Sequence, residues 1–226
     1  MQGYLSLWDQ YGEAMLSAFW GNIQLTFWAA IASFVLGTIL ALMRISPVPS
    51  FRAFGTAYVN IFRNTPLTII MAFGVLVLFG VFQIQFSSDF DLNFFQIAIL
   101  GLSIYHAAFF CEAIRSGVNT VPLGQAEAAR AIGLSFLPAA QLVILPQAFR
   151  GAIAPMGNVL IALIKNTTVA VAGSVTEISG VMKEMLEIRS DVGLLIFFTV
   201  AVMFVIVVIP VGLLTTYLSK KLAVAR

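Results

Sequence analysis

Apolar residues in this chain come in long unbroken runs, not at the two- or 3.6-residue spacing of a half-buried strand or helix. No charge occurs between Glu13 and Arg44, and residues 23–43 form the apolar centre of that stretch. A second run covers about residues 66–82, inside an uncharged segment from Asn64 to Ser88. A third covers about 92–111, with His106 its only side chain that ordinarily titrates near neutral pH, and the last covers 192–218, with a kink expected at Pro210. The fourth, 151–164, is shorter than the roughly 20 residues that cross a bilayer. It either continues through Lys165 into the region 169–173 or is a short broken helix. Residues 176–189 are charged and helical in pattern, and read as an exterior helix or a partly re-entrant hairpin.

Five hydrophobic spans predict an all-α integral membrane protein. Composition agrees: 60% of the 226 residues are hydrophobic and 10% are charged, where a water-soluble domain carries about a quarter. The net charge of +2 is less telling than its placement. With the N-terminus outside, Arg44, Arg52, Arg63, Arg115, Arg130, Arg150, Lys220, Lys221 and Arg226 fall inside, and only Lys165, Lys183 and Arg189 do not. Nine against three sets the orientation as N-out and C-in. Trp8, Trp20 and Trp28 suit an outer aromatic belt, with Trp28 facing lipid or a neighbouring helix as the alternative. No signal peptide is expected, and no internal repeat or linker divides residues 1–226, which read as one domain.

Between about residues 116 and 149 the chain changes character. Thr120-Val121-Pro122 signals a helix start, with Thr120 as a hydroxyl cap and Pro122 near the first turn. An alanine-rich helix follows over 125–132 and stops at Gly133. A second short element, 136–145, ends at Pro146. Ala126, Ala129 and Gly133 align on one face, and Glu127 and Arg130 form an i,i+3 pair. An isolated Glu-Ala-Ala triplet is an ordinary solvated helix surface, and the spacing changes that reading. Counting Glu127 as one, glycine falls at seven (Gly133), leucine at nineteen (Leu145) and proline at twenty (Pro146).

This pattern resembles the EAA loop of ATP-binding-cassette (ABC) importer permeases, with Val143 where that loop usually has isoleucine. The flanks Glu112-Ala-Ile-Arg115-Ser-Gly117 and Gly124-Gln125-Ala126-Glu127-Ala128-Ala129 resemble the polar amino acid subfamily. So do Arg63-Asn64-Thr65-Pro66 and Lys165-Asn166-Thr167-Thr168. One departure is Leu67-Thr68-Ile69-Ile70, where the subfamily often carries glutamine. The resemblance implies a type I ABC importer permease fold in a bacterial inner membrane, with a cytoplasmic coupling helix. Gly124, Gln125, Glu127, Ala128, Ala129, Gly133, Leu145 and Pro146 would transmit force from two separate ATPase subunits. It also implies a second permease, identical or similar, and an extracytoplasmic solute-binding protein. The chain has no G-x-x-x-x-G-K-[ST] phosphate loop, so it is expected to carry no cofactor and to leave ATP to the partner.

Polar groups at membrane depth are costly and mark pathways. Lys165, Asn166, Thr167 and Thr168 are expected to line a substrate path, where Lys165 pairs with a carboxylate; the competing reading is a snorkelling lysine and a helix cap. Arg63, Asn64 and Thr65 serve mainly to start span two, with Thr65 as the cap and Arg63 as an inner anchor, and secondarily as an anion site. The two polar motifs resemble those of acidic amino acid systems, which favours glutamate, with glutamine or a basic amino acid left open. His106 and Cys111 read as packed core residues. Glu112 and Arg115 read as a pair holding span three to the docking loop, and Ala152, Ala154 and Gly157 as a close helix contact at a subunit interface. An ion-coupled secondary transporter or channel would want paired intramembrane acids or an inverted repeat, and neither is present. An intramembrane enzyme would want a nucleophile or metal cluster, for which one His and one Cys give little material. Nucleic acid has no evident site; lipid is the expected surroundings.

Overall fold

The structure is a computed structural model that describes residues 2–222, with side chains from Leu7 onward; Arg226, counted above among the inner cations, lies outside the described residues. Every regular element among the described residues is helical. The α-helices are α1 (Gln2–Ile45), α2 (Pro49–Asn64), α3 (Leu67–Phe73), α4 (Phe90–Val118), α5 (Leu123–Ala131), α6 (Phe136–Ala139), α7 (Leu145–Asn166), α8 (Ile178–Ile188) and α9 (Gly193–Lys221). A backbone in lipid must bond its own N–H and C=O groups, and long helices do so within one segment. Four helical stretches are long and apolar enough to span, and a fifth counts if the pair α2 and Leu67–Phe79, broken at Thr65–Pro66, is one span.

One expected span changes, and the fourth takes the longer of its two expected forms. The run 66–82 yields only seven α-helical and six π-helical residues, too few at about 1.5 Å each to cross roughly 30 Å alone. The preceding α2 starts with Pro49 in the first turn and ends where Pro66 forces Thr65 into extended backbone (φ −100°, ψ 129°). The fourth span is longer than its apolar run: helix is continuous from Phe136 to Gly173 over 38 residues. The expected stop at Pro146 is absent. A π segment, Ala140–Ile144, leads into α7, and Pro146 lies just past it inside the continuous helix. The continuation past Lys165 is a 3₁₀ helix, Thr167–Gly173. α9 passes through Pro210 without interruption.

The chain forms two compact units. The first comprises Met1–Ala29, Leu67–Leu102 and Leu163–Pro210. Its core packs Leu7, Met15 and Ala18 of α1 with Ile178, Val181 and Met185 of α8 and Ile196 and Val200 of α9. The three α8 residues fall at i, i+3 and i+7, so the charged segment 176–189 holds one amphipathic helix, Ile178–Ile188, rather than a hairpin. Trp8 and Trp28 stand about 30 Å apart along the straight-through α1, so a single belt at one interface cannot hold both.

The second unit comprises Ala30–Pro66, Ser103–Ala162 and Val211–Arg226. Its core is Leu40, Ala41, Val59, Ala107, Ala108, Cys111, Ile114 and Leu145. The small residues make the expected close helix contacts within the chain. A Cβ on Gly157 would lie 2.6 Å from the Thr215 Cβ of α9, and one on Gly117 would lie 2.8 Å from the Ala152 Cβ. Ala154 alone of that trio remains exposed.

Candidate functional site

The loop of residues 116–149 lies wholly in the second unit. α5 starts two residues earlier than its alanines suggest, at Leu123, with Pro122 as the N-cap residue. Thr120 does not cap it: its hydroxyl donates to the Gly117 carbonyl at 2.7 Å. Gly133 closes the helix with φ +87°, the left-handed conformation that L side chains resist, and Leu134 N–H returns to the Ala129 carbonyl at 3.1 Å. Ala129 is buried beneath the helix and Ala126 half-buried. Gly124, Gln125, Glu127 and Ala128 face outward, while Leu145 is buried and Pro146 exposed where α7 begins. The expected pair Glu127–Arg130 does not form among the described residues. Three large apolar side chains around this loop are strongly exposed: Leu123 at 83%, Ile132 at 78% and Leu142 at 70%.

Also in this unit, Glu112 is the shared partner of three arginines. It pairs with Arg44 of α1, with Arg115 at 2.8 Å and, more loosely, with Arg63 of α2 at 3.8 Å. The Glu112–Arg115 pair was legible from spacing. Its wider role was not: the carboxylate ties α4 to α1 and α2 instead of to the docking loop. Arg63 also lies over the Phe109 ring, 5.7 Å from its centroid. Asn64 donates to the Asn60 carbonyl at 2.7 Å and Thr65 to the Ile61 carbonyl at 2.8 Å. Both therefore finish α2, and Thr65 does not cap the helix that follows. Cys111 is fully buried beside this cluster.

The first unit holds the Lys-Asn-Thr-Thr motif at the change from α7 to the 3₁₀ helix. Lys165 is exposed, Asn166 and Thr168 are half-buried, and Thr167 is fully buried. Thr167 Oγ1 donates to the Ile164 carbonyl at 2.7 Å and accepts from Asn22 Nδ2 at 2.9 Å. That amide also donates to Glu177 Oε2 at 3.1 Å, and Asn22 Oδ1 accepts from Ile178 N–H at 3.1 Å. Glu177, itself without exposed surface, caps α8 by accepting from the Ser179 and Gly180 N–H groups, each at 3.0 Å, and from the Ser179 hydroxyl. Five donors thus meet one buried carboxylate and one amide, and a helix N-terminus offsets the charge. Sequence reasoning missed Asn22 and Glu177. The available signal was Asn22 itself, a strongly polar residue inside an uncharged 14–43 stretch. His106 is buried, as expected of a packed histidine. Arg63, Asn64 and Thr65 belong to the second unit and the Lys165 motif to the first.

Residues 33–224 match the family described as "Binding-protein-dependent transport system inner membrane component". The chain is 45% identical to the glutamate transport system permease protein GluC of Corynebacterium efficiens, with 98% of this chain and 99% of that protein covered. It is 44% identical to GluC of Corynebacterium glutamicum over the same shares. A solved amino acid ABC transporter has the same fold, with a TM-score of 0.80 at 22% identity, covering 96% of this chain and 98% of that one. The chain therefore belongs to the inner membrane components of binding-protein-dependent transport systems, the permease subunits of ABC importers.

Proposed function

We propose that residues 1–226 form a single permease domain that moves glutamate inward across the bacterial inner membrane, driven by ATP hydrolysis on partner subunits. Permeases of this family work with an ATPase and an extracytoplasmic solute-binding protein. The observation that carries the coupling is the loop around α5. A short rigid helix, locked by Gly133, presents Leu123, Ile132 and Leu142 to the outside on the side rich in arginine. Exposed apolar side chains next to a polar helix mark a protein contact. Two ATPases closing on ATP would pull α5, and through α6 and the continuous helix into α7 the pull would reach the Lys165 motif. Gly124, Gln125, Glu127 and Ala128 form the contact, buried Ala129 seats the helix against its own unit, and Leu145 and Pro146 pass the force on. The chain itself supplies no cofactor. A second permease, the same chain or a similar one, completes the pathway.

Two full-length relatives named for glutamate support the substrate. In this reading Lys165 meets the substrate carboxylate, Asn166 and Thr168 supply amide and hydroxyl contacts, and buried Thr167 anchors the motif to Asn22; Arg63, Asn64 and Thr65 form a separate polar segment of the path in the second unit. The test is uptake into proteoliposomes carrying the assembly that co-purifies with this chain. Glutamate uptake should need ATP and the binding protein, survive collapse of ion gradients, and fall under excess aspartate more than under excess arginine. Uptake that follows an ion gradient without ATP would refute the mechanism. Uptake of glutamine or arginine in preference would refute the substrate alone.

A further inference from the structure

Two cavities adjoin at one arginine of the second unit. The first is an open hollow of about 730 Å³ beside α2, lined by Arg44, Arg52 and Arg115 with Thr56 and Asn60 between them. No acidic side chain lines it among the described residues. The nearest carboxylate, Glu112, is already shared by Arg44, Arg63 and Arg115. Four guanidiniums thus stand against one carboxylate. The second cavity is a groove of about 610 Å³ under α5, with walls of Ile45, Val118, Leu123, Leu134, Phe136 and Ile144. Its polar edge is Arg52 and Arg130. Arg52 belongs to both cavities, and its Nη1 is fixed there by the Ser46 and Pro47 carbonyls at 3.0 and 3.1 Å.

We propose that this pair of cavities binds one anionic phospholipid of the inner leaflet. The phosphate sits among Arg44, Arg52 and Arg115, and an acyl chain lies in the groove beneath the coupling helix. Each half of the arrangement rules out a simpler occupant. A free phosphate leaves the apolar groove unexplained, and a neutral acyl chain leaves the excess positive charge unanswered. α2 has the pattern of a helix at a headgroup boundary. Phe51, Phe54 and Ile61 are 50%, 58% and 60% exposed, while Arg52, Thr56 and Asn60 turn to the hollow. Basic pockets on the cytoplasmic side are the usual receptors for acidic headgroups. The inference rests on the family assignment and the inward placement of these arginines, and is independent of the glutamate reading. Because Leu123, Leu134 and Arg130 bracket α5, the lipid would also stiffen the lever on which the ATPases act.

The test is native mass spectrometry of the intact transporter, purified with permease and ATPase together and exposed to phosphatidylglycerol or phosphatidylcholine. Phosphatidylglycerol should be retained and phosphatidylcholine lost. Arg52→Gln should weaken retention roughly fivefold, the share expected of one arginine near an acidic headgroup. Leu134→Glu, on the groove wall and outside the ATPase contact, should weaken it as well while the ATPase still co-purifies. Added inorganic phosphate should not displace the lipid. Equal retention of the two lipids, or retention unchanged in both variants, overturns the proposal. Displacement by phosphate alone reassigns the hollow to a free anion and overturns it too, as does efficient cross-linking of Arg52→Cys to the ATPase.

Discussion

Replacing Glu112 by glutamine keeps the side chain's shape and removes the one negative charge among Arg44, Arg63 and Arg115. The side chains of Glu112 and Arg44 are 22% and 14% exposed. An exposed ion pair contributes about 0–1 kcal/mol, and deleting one partner of a fully buried pair costs about 3–5 kcal/mol. Partial burial places Glu112→Gln between these limits, at about 2 kcal/mol. Cys111 is the chain's only cysteine, fully buried and adjacent to the site, so its thiol reports local opening. When closing is fast compared with labelling, the rate follows the open population, and about 2 kcal/mol raises it roughly thirtyfold. Labelling of the purified transporter with a maleimide dye measures this directly. Adding Arg44→Gln to Glu112→Gln should recover part of the loss, because no uncompensated charge then remains at the pair. Labelling as slow as in the unchanged protein would refute the claim that this carboxylate holds α1, α2 and α4 together.

In the first unit, Asn22→Ala removes three hydrogen bonds, each contributing about 1 kcal/mol, for a loss of about 3 kcal/mol. Asn22→Asp should lower the apparent melting temperature at least as far, since it sets a second carboxylate against Glu177; wild-type melting for the aspartate variant would refute the network. Gly133→Val forces a β-branched residue into φ +87°, a strain of about 1–2 kcal/mol at the lever. ATP hydrolysis should then continue with less glutamate moved per ATP, and an unchanged ratio would count against docking at this loop. Lys165→Met should raise KM for glutamate or relax selectivity while hydrolysis persists; normal kinetics would leave Lys165 a snorkelling residue. A protease-cleavable tag after the C-terminus should be cut only in inside-out vesicles, and cleavage in intact cells would reverse the orientation.

The sequence alone determined the properties that depend on local order along the chain. Uncharged runs fixed the helical membrane class, because a bilayer tests each segment by its length and polarity. The spacing from Glu127 through Gly133 to Pro146 located the short helix closed by Gly133, because turn and cap chemistry acts within a few residues. Glu112–Arg115 was legible for the same reason, being one helical turn apart. Tertiary structure decided what depends on partners far away in the sequence. Asn22 reaches Thr167 across 145 positions and Glu177 across 155, and Arg44 reaches Glu112 across 68. Periodicity carries no trace of such pairings. Tertiary structure also joined α6 to α7 through Pro146 and left Leu67–Phe79 too short to span alone. Hydropathy reads how apolar a stretch is. Which polar group meets which, and where a helix breaks or runs on, is settled only when separate segments bury one another's hydrogen-bonding groups.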